Sequence, residues 1–214
     1  MLSDLLTSVD ADATEVNEFS FESGSVRPIA DSQLVLPTVV GLCGAAGSGK
    51  TTAAAYLAER FGFERVRFAG PLKDMLRVLG LGDDEIEGGS KEKPSALLLG
   101  KTPRQAMQWL GTEWGRNLIG EDFWVNAWGT RAFRFPSVVA EDVRFKNEAD
   151  AIRRMGGIVV RIDCPWAGSA SGAGHSSEAL PDLHDIVIRN DARGELGRLF
   201  GQLREVVACV EWTA

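Results

Sequence analysis

Thr38-Val39-Val40-Gly41-Leu42-Cys43-Gly44-Ala45-Ala46-Gly47-Ser48-Gly49-Lys50-Thr51-Thr52 is the stretch whose reading decides the fold. Val39, Val40, Leu42 and Cys43 form a short apolar run suited to a strand buried on both faces. Thr52 to Phe61 then reads as a helix, and Gly62 stands where a helix stop is expected. Between them, Gly44 to Thr51 fits G-x-x-x-x-G-K-[ST] at every fixed position. Such a loop turns backbone N–H groups inward around an anion, and the helix N-terminus adds a field that favours negative charge. The pattern therefore predicts a nucleoside triphosphate cradled by Gly44, Ala45, Ala46, Gly47, Ser48, Gly49, Lys50, Thr51 and Thr52. In it Lys50 reaches the β- and γ-phosphates, and the Thr51 hydroxyl holds Mg²⁺.

The 214 residues suffice for one domain with a core of its own. Cys43, Cys164 and Cys209 are widely spaced and lack a C-x-x-C pair, as reduced thiols of a cytoplasmic protein would be. No apolar stretch approaches the roughly 20 residues of a membrane helix. The N-terminus carries Asp4 and no early lysine or arginine, unlike a secretory signal. The net charge of −7 is uneven, since residues 1–36 hold seven acidic residues against Arg27 alone. That acidic head, poor in large apolar residues, reads as a flexible extension. The body, residues 37–214, has no basic stripe, so neither nucleic acid nor membrane is an expected partner. A homodimer stays open.

Further along, Glu64 to Phe68 alternates like a strand, and Ala69-Gly70-Pro71 starts a helix with Leu72, Met75, Leu76 and Leu79 on one stripe. Residues 80–100 read as loop. Thr102-Pro103 starts another helix, and Phe123 to Phe133 a further one. Strands are expected at Ser137–Ala140, Ile158–Ile162 and Asp185–Ile188, with a helix carrying Phe145, Ala149 and Ile152 after the first, a flexible segment at 165–177 after the second, and a C-terminal helix from Leu196 onward. Strands alternating with helices predict an α/β fold: a mostly parallel sheet covered on both faces.

The phosphate loop alone does not name a reaction. The chain lacks the Asn-Lys-x-Asp that reads guanine and the Ser-Gly-Gly-Gln of transport ATPases, which favours a small-molecule kinase. Several blocks then occur in order. They are Phe68-Ala69-Gly70-Pro71-Leu72-Lys73, Lys91-Glu92, Thr102-Pro103-Arg104-Gln105, Gln108 to Arg116, Asp122-Phe123-Trp124, Asp142-Val143-Arg144-Phe145 with Asn147-Glu148-Ala149, His175 to Glu178, and Ile188 to Asp191. Together they resemble the deoxynucleoside monophosphate kinases of bacteriophages, and the last two also resemble dephospho-coenzyme A kinase. The resemblance implies a P-loop kinase fold with an acceptor-binding helical insertion at about 70–135 and a short lid at about 163–178. It also implies ATP and Mg²⁺ as cofactors and a deoxynucleoside 5′-monophosphate as acceptor. A nucleotide-binding regulatory module is the alternative from another class.

Candidate residues follow. Asp142 ends a buried strand, where open α/β sheets place ligands, and would hold Mg²⁺ or orient the acceptor phosphate. Aspartate also suits a helix cap there, and Glu141 competes for the same role. Arg104, Gln108 and Arg116 suit an acceptor pocket, since arginine forks onto phosphate and glutamine reads a base edge. Lys73 would reach the same phosphate. Trp114 and Trp124 offer faces for stacking a base. Arg144 and Glu148 belong to the acceptor side, or form a plain pair one helical turn apart. The lid segment has no arginine between 165 and 177, which leaves Arg161, or Arg153 and Arg154, to stabilise the transferring phosphoryl group. His175 would structure the lid, and Asn190 would frame the adenine or simply end a strand.

Overall fold

The computed structural model describes residues 38–167, 183–191 and 195–211. The expectations for the acidic head and for residues 168–178 of the lid, including His175, lie outside them. Five strands, β1 (Thr38–Cys43), β2 (Glu64–Arg65), β3 (Ser137–Ala140), β4 (Ile158–Asp163) and β5 (Ile186–Arg189), form one sheet in the order β2-β3-β1-β4-β5. Every pairing is parallel. β1 takes the centre because its residues can be buried from both sides: Val39, Val40 and Leu42 have no exposed surface.

Alternation along the strands sorts two cores. Val39 and Cys43 join Val138, Val159 and residues of α5 (Phe123–Ala132) and α6 (Lys146–Arg154) on one face. Val40 and Leu42 join Val139, Val160 and residues of α1 (Lys50–Phe61) and α7 (Gly197–Glu211) on the other. The sheet is thus covered on both faces, as the alternating pattern requires. Gly62 closes α1 by donating its N–H to the Ala58 carbonyl at 3.1 Å, and the next N–H, of Phe63, bonds the Leu57 carbonyl at 3.4 Å.

Between β2 and β3 lies a helical region with a small core of its own, built on Leu72, Leu76, Leu81, Ile86 and Trp124. It begins with α2 (Gly70–Val78). The stretch at 80–100 is not simply a loop. It contains α3 (Asp83–Ile86) and a 3₁₀ turn at Gly89–Glu92. Four residues are too few to show a period, but Glu85 caps α3 through the Gly82 N–H at 3.0 Å, and Ile86 is fully buried. The strand expected at 64–68 is shorter, because the N–H groups of Phe68 and Ala69 turn to the Asp142 carboxylate.

Thr102 starts α4 (Pro103–Gln108) through reciprocal bonds with Gln105, at 3.2 and 3.1 Å. α4 runs directly into a π-helix, Trp109–Ile119, which periodicity gave no reason to expect. Packing accounts for it. The Trp124 indole donates to the Gly111 carbonyl at 2.8 Å and lies where a Cβ on Gly115 would sit. The close approach allowed by these glycines is therefore made by a tryptophan. No helix among the described residues is long and apolar enough to cross a membrane.

Candidate active site

A parallel sheet brings all its strand C-termini to one edge. There the chain leaves β1 for α1 on one face and leaves β3 for α6 on the other, opening the crevice in which such sheets hold ligands. The phosphate loop forms the β1 side. Gly44 has φ +139°, and a Cβ on it would lie 2.7 Å from the Ile162 carbonyl oxygen, so the loop can start so close to β4 only with glycine. Lys50 opens α1 and donates from Nζ to the carbonyls of Gly44 (2.8 Å) and Ala45 (2.7 Å). Its ammonium lies inside the curl of the loop. Burial, and next the charge of Arg144, lower its pKa. Ala46, Gly47, Thr51 and Thr52 form an exposed rim, while Ser48 is fully buried.

Asn190 follows β5 and donates its side-chain amide to the Ser48 carbonyl at 2.9 Å, while its N–H bonds Asp163 at 2.8 Å. The amide thus braces the loop. Arg161, at the end of β4 and paired in register with Cys43, donates Nε to Asp163 at 2.7 Å. Arg153, in the last turn of α6, is bound to Asp185 and the Leu183 carbonyl.

On the β3 side, the two acids part company. Asp142 accepts from the N–H of Phe68 (2.9 Å) and of Ala69 (3.0 Å), one per oxygen, and so anchors the start of α2. Burial pushes its carboxyl pKa up, and these donors pull the other way. Glu141, with 4% of its side chain exposed, takes Arg65 at 2.7 Å and also the Nε of Arg67. Val143 then bonds the Leu42 carbonyl at 3.3 Å, stitching this turn to β1 just before the loop. Arg144 comes next. It is exposed, and its guanidinium has no partner among the described residues.

Glu148 does not pair with the Arg144 side chain. One of its oxygens accepts the backbone N–H of Arg144 (2.8 Å) and of Phe145 (3.1 Å), and the other accepts Arg116 at 2.9 Å. The Arg116 guanidinium lies 3.7 Å over the Phe145 ring. Burial pushes the Glu148 carboxyl up to about 7, against the N–H of Arg144. This group ties the π-helix to the β3–α6 turn and so to the crevice.

The other expected acceptor residues are dispersed. Trp124 is 4% exposed and belongs to the small core, which leaves no face for a base. Trp114 is half-buried, edge-on to Phe123 at 5.3 Å. Arg104 pairs with Glu92 at 2.8 Å in an exposed bridge, and Gln108 lies half-buried one turn on. Lys73 donates to both oxygens of Glu87 at 2.8 Å, beside Arg67. Sequence reading passed over Arg65, Arg67 and Glu87. The one signal was the Arg-Val-Arg spacing, which puts both arginines on one face of a strand.

Thr51 and Asp142 are hard oxygen donors of the kind Mg²⁺ takes, and the described residues hold no cluster of three or more histidine, cysteine or acidic side chains able to bind a metal alone. Mg²⁺ needs few such protein donors, since it keeps most of its shell for phosphate oxygens and water.

A protein of Acanthamoeba polyphaga mimivirus, named as a deoxynucleotide monophosphate kinase, is 37% identical over 193 residues, or 81% of this chain and 96% of the relative. The chain belongs to the deoxynucleotide monophosphate kinase family. That agrees with the resemblance carried by the ordered blocks from Phe68 to Asp191. No protein-family model matches the kinase. Among solved structures it is similar to shikimate kinase from Bacteroides thetaiotaomicron, at 12% identity and a TM-score of 0.45 over 81% of this chain and 98% of that one. It is also similar to TT1252 from Thermus thermophilus, at 20% identity and a TM-score of 0.44 over 80% and 97%.

Proposed function

We propose that the kinase transfers the γ-phosphate of ATP to a deoxynucleoside 5′-monophosphate. The observation that carries this reading is the 37% identity to the mimivirus protein along nearly its whole length. The crevice supports it. Lys50 exchanges its two loop carbonyls for β- and γ-phosphate oxygens. Arg144 supplies the cation that the lid sequence lacks, meeting charge that develops on the transferring group. Arg161 steadies the β4 side of the loop. Arg116, held by Glu148 and Phe145, presents a fixed fork on the acceptor side, with Arg104 and Gln108 farther out. Thr51 and Asp142 hold Mg²⁺, which when bound neutralises and orients the polyphosphate. The kinase domain is residues 37–214, and the acidic head is a solvated extension.

An ADP-release assay with dAMP, dCMP, dGMP, dTMP and dephospho-coenzyme A tests the reading, with and without a chelator. Turnover of at least one deoxynucleoside monophosphate, lost on removing Mg²⁺, is expected. Turnover of dephospho-coenzyme A alone would overturn it, and ATP binding with no turnover would favour a regulatory module. In the same assay Arg144→Ala should cut kcat on the order of 100-fold with ATP still bound, and Arg144→Lys should restore part of the loss. Full activity in Arg144→Ala would remove it from the chemistry.

A further inference from the structure

Among the described residues, lysines and arginines gather along one edge of the sheet. A cleft of about 610 Å³ runs along β2, the open edge of the sheet, beside α2 and the end of α5. Its walls carry Arg65, Arg67, Lys73, Arg77, Arg131 and Arg134 against Glu64, Asp74 and Glu87. Six of the 23 lysines and arginines of an acidic chain thus line one cleft. Like charges gathered so closely repel unless an anion sits among them.

One does. The Glu87 carboxylate is held by Lys73 at 2.8 Å on each oxygen, by Arg67 at 3.1 Å, and has Arg77 at 3.6 Å. Burial works to raise its pKa, but the Lys73 bond and the charges of Lys73 and Arg67 outweigh that and hold it below the ordinary value. Three cations converging on one anionic group is how proteins hold phosphate. Glu87 follows the four-residue helix α3, and its side chain is 35% exposed.

The cleft also shares a wall with the crevice. Arg65 and Arg67 are fixed by Glu141, and the next residue, Asp142, pins Phe68 and Ala69 just before Gly70, which lines the cleft.

We propose that this cleft binds a phosphate monoester on Arg67, Lys73 and Arg77, and that Glu87 occupies the phosphate position until the ligand displaces it. The ligand is the 5′-phosphate of a nucleotide. It is either the acceptor, in which case the assignment rests on the proposed function, or a second nucleotide acting as an effector. A carboxylate that competes with its ligand predicts an unusual sign: removing its charge improves binding.

The test is equilibrium titration of the full chain with the four deoxynucleoside monophosphates, after the loop is filled with a non-hydrolysable ATP analogue. Glu87→Gln should tighten binding about threefold to tenfold, and Arg67→Ala should weaken it about tenfold or more. Arg77→Ala, a half-exposed position, carries the same test should Arg67→Ala fail to fold. If the ligand is the acceptor, Glu87→Gln lowers its KM by a similar factor with kcat little changed. If it is an effector, KM stays put and a second equivalent of nucleotide binds per chain. The proposal is overturned if Glu87→Gln fails to tighten binding and neither arginine variant weakens it. Titration needs no turnover, so this result is read separately from failure of the ADP-release assay.

Discussion

On the proposed function, the loop at 44–51 and the helical region at 70–135 meet the same demand, to hold anions in a protein of net negative charge, by opposite means. In the loop, backbone curvature and one lysine suffice, and every part lies within eight consecutive residues. In the helical region, side chains are drawn from far apart: Arg116 reaches Glu148, Arg67 reaches both Glu87 and Glu141, and Asp142 reaches back to Phe68. The loop is built to be copied intact. The helical region is built to be re-tuned one charge at a time, which suits a surface that chooses among substrates.

The sharpest break in this comparison comes from the loop. Lys50→Ala should depress kcat on the order of 100- to 1,000-fold while the melting temperature barely moves, since the lysine bonds only loop carbonyls. A variant that kept its rate would mean that the loop holds nucleotide without serving transfer.

Next comes Glu148, which tests whether the side-chain network is electrostatically costly. Its folded pKa of about 7 lies above the ordinary 4.5, so the folded chain keeps a proton that the unfolded chain gives up. Stability from this site is full below the ordinary value and is lost as pH rises through about 7, by on the order of 3 kcal/mol at most. Denaturant unfolding of wild type and Glu148→Gln at acid and mildly alkaline pH checks it. The variant should lose that part of the pH slope; equal slopes would show that Arg116 fully compensates the buried charge.

The smallest effect on stability should come from Asp142→Asn, which leaves one of the two N–H donors facing an amide NH₂ in place of an oxygen, while its rate should fall with the loss of the proposed Mg²⁺ ligand. A loss of about 1–3 kcal/mol in stability is expected, measured by thermal unfolding. Unchanged stability with a lost rate would make Asp142 a ligand rather than an anchor. Lost stability with full activity per folded molecule would make it an anchor alone.

Much of the frame was legible because it depends on local pattern. β3 falls at Ser137–Ala140 as read, Gly62 stops α1, and Thr102 caps α4. What escaped depends on meetings across the chain. The π-helix follows from Trp124 packing on Gly115, a contact that no spacing rule announces. α3 is too short to have a period, yet without it Glu87 would not stand among Arg67, Lys73 and Arg77. Asp142 and Glu141 were both recognised as candidates, but only the fold separates them, one toward α2 and the other toward β2. Arg144 was read with Glu148 as a pair, and tertiary structure gives that carboxylate to Arg116 instead.

The two bonds from Lys50 to the carbonyls of Gly44 and Ala45 carry a consequence for what the loop will accept. The lysine fills the curl of the loop, so on the proposed function nucleotide entry would be an exchange of partners rather than the filling of a void. An incoming ligand must offer oxygens enough to replace both carbonyls at once and must span the curl while doing so. A chain of linked phosphates meets those terms. On the proposed function, a lone orthophosphate would return too few oxygens to replace both carbonyls, and the loop would select its ligand by length before any base is read.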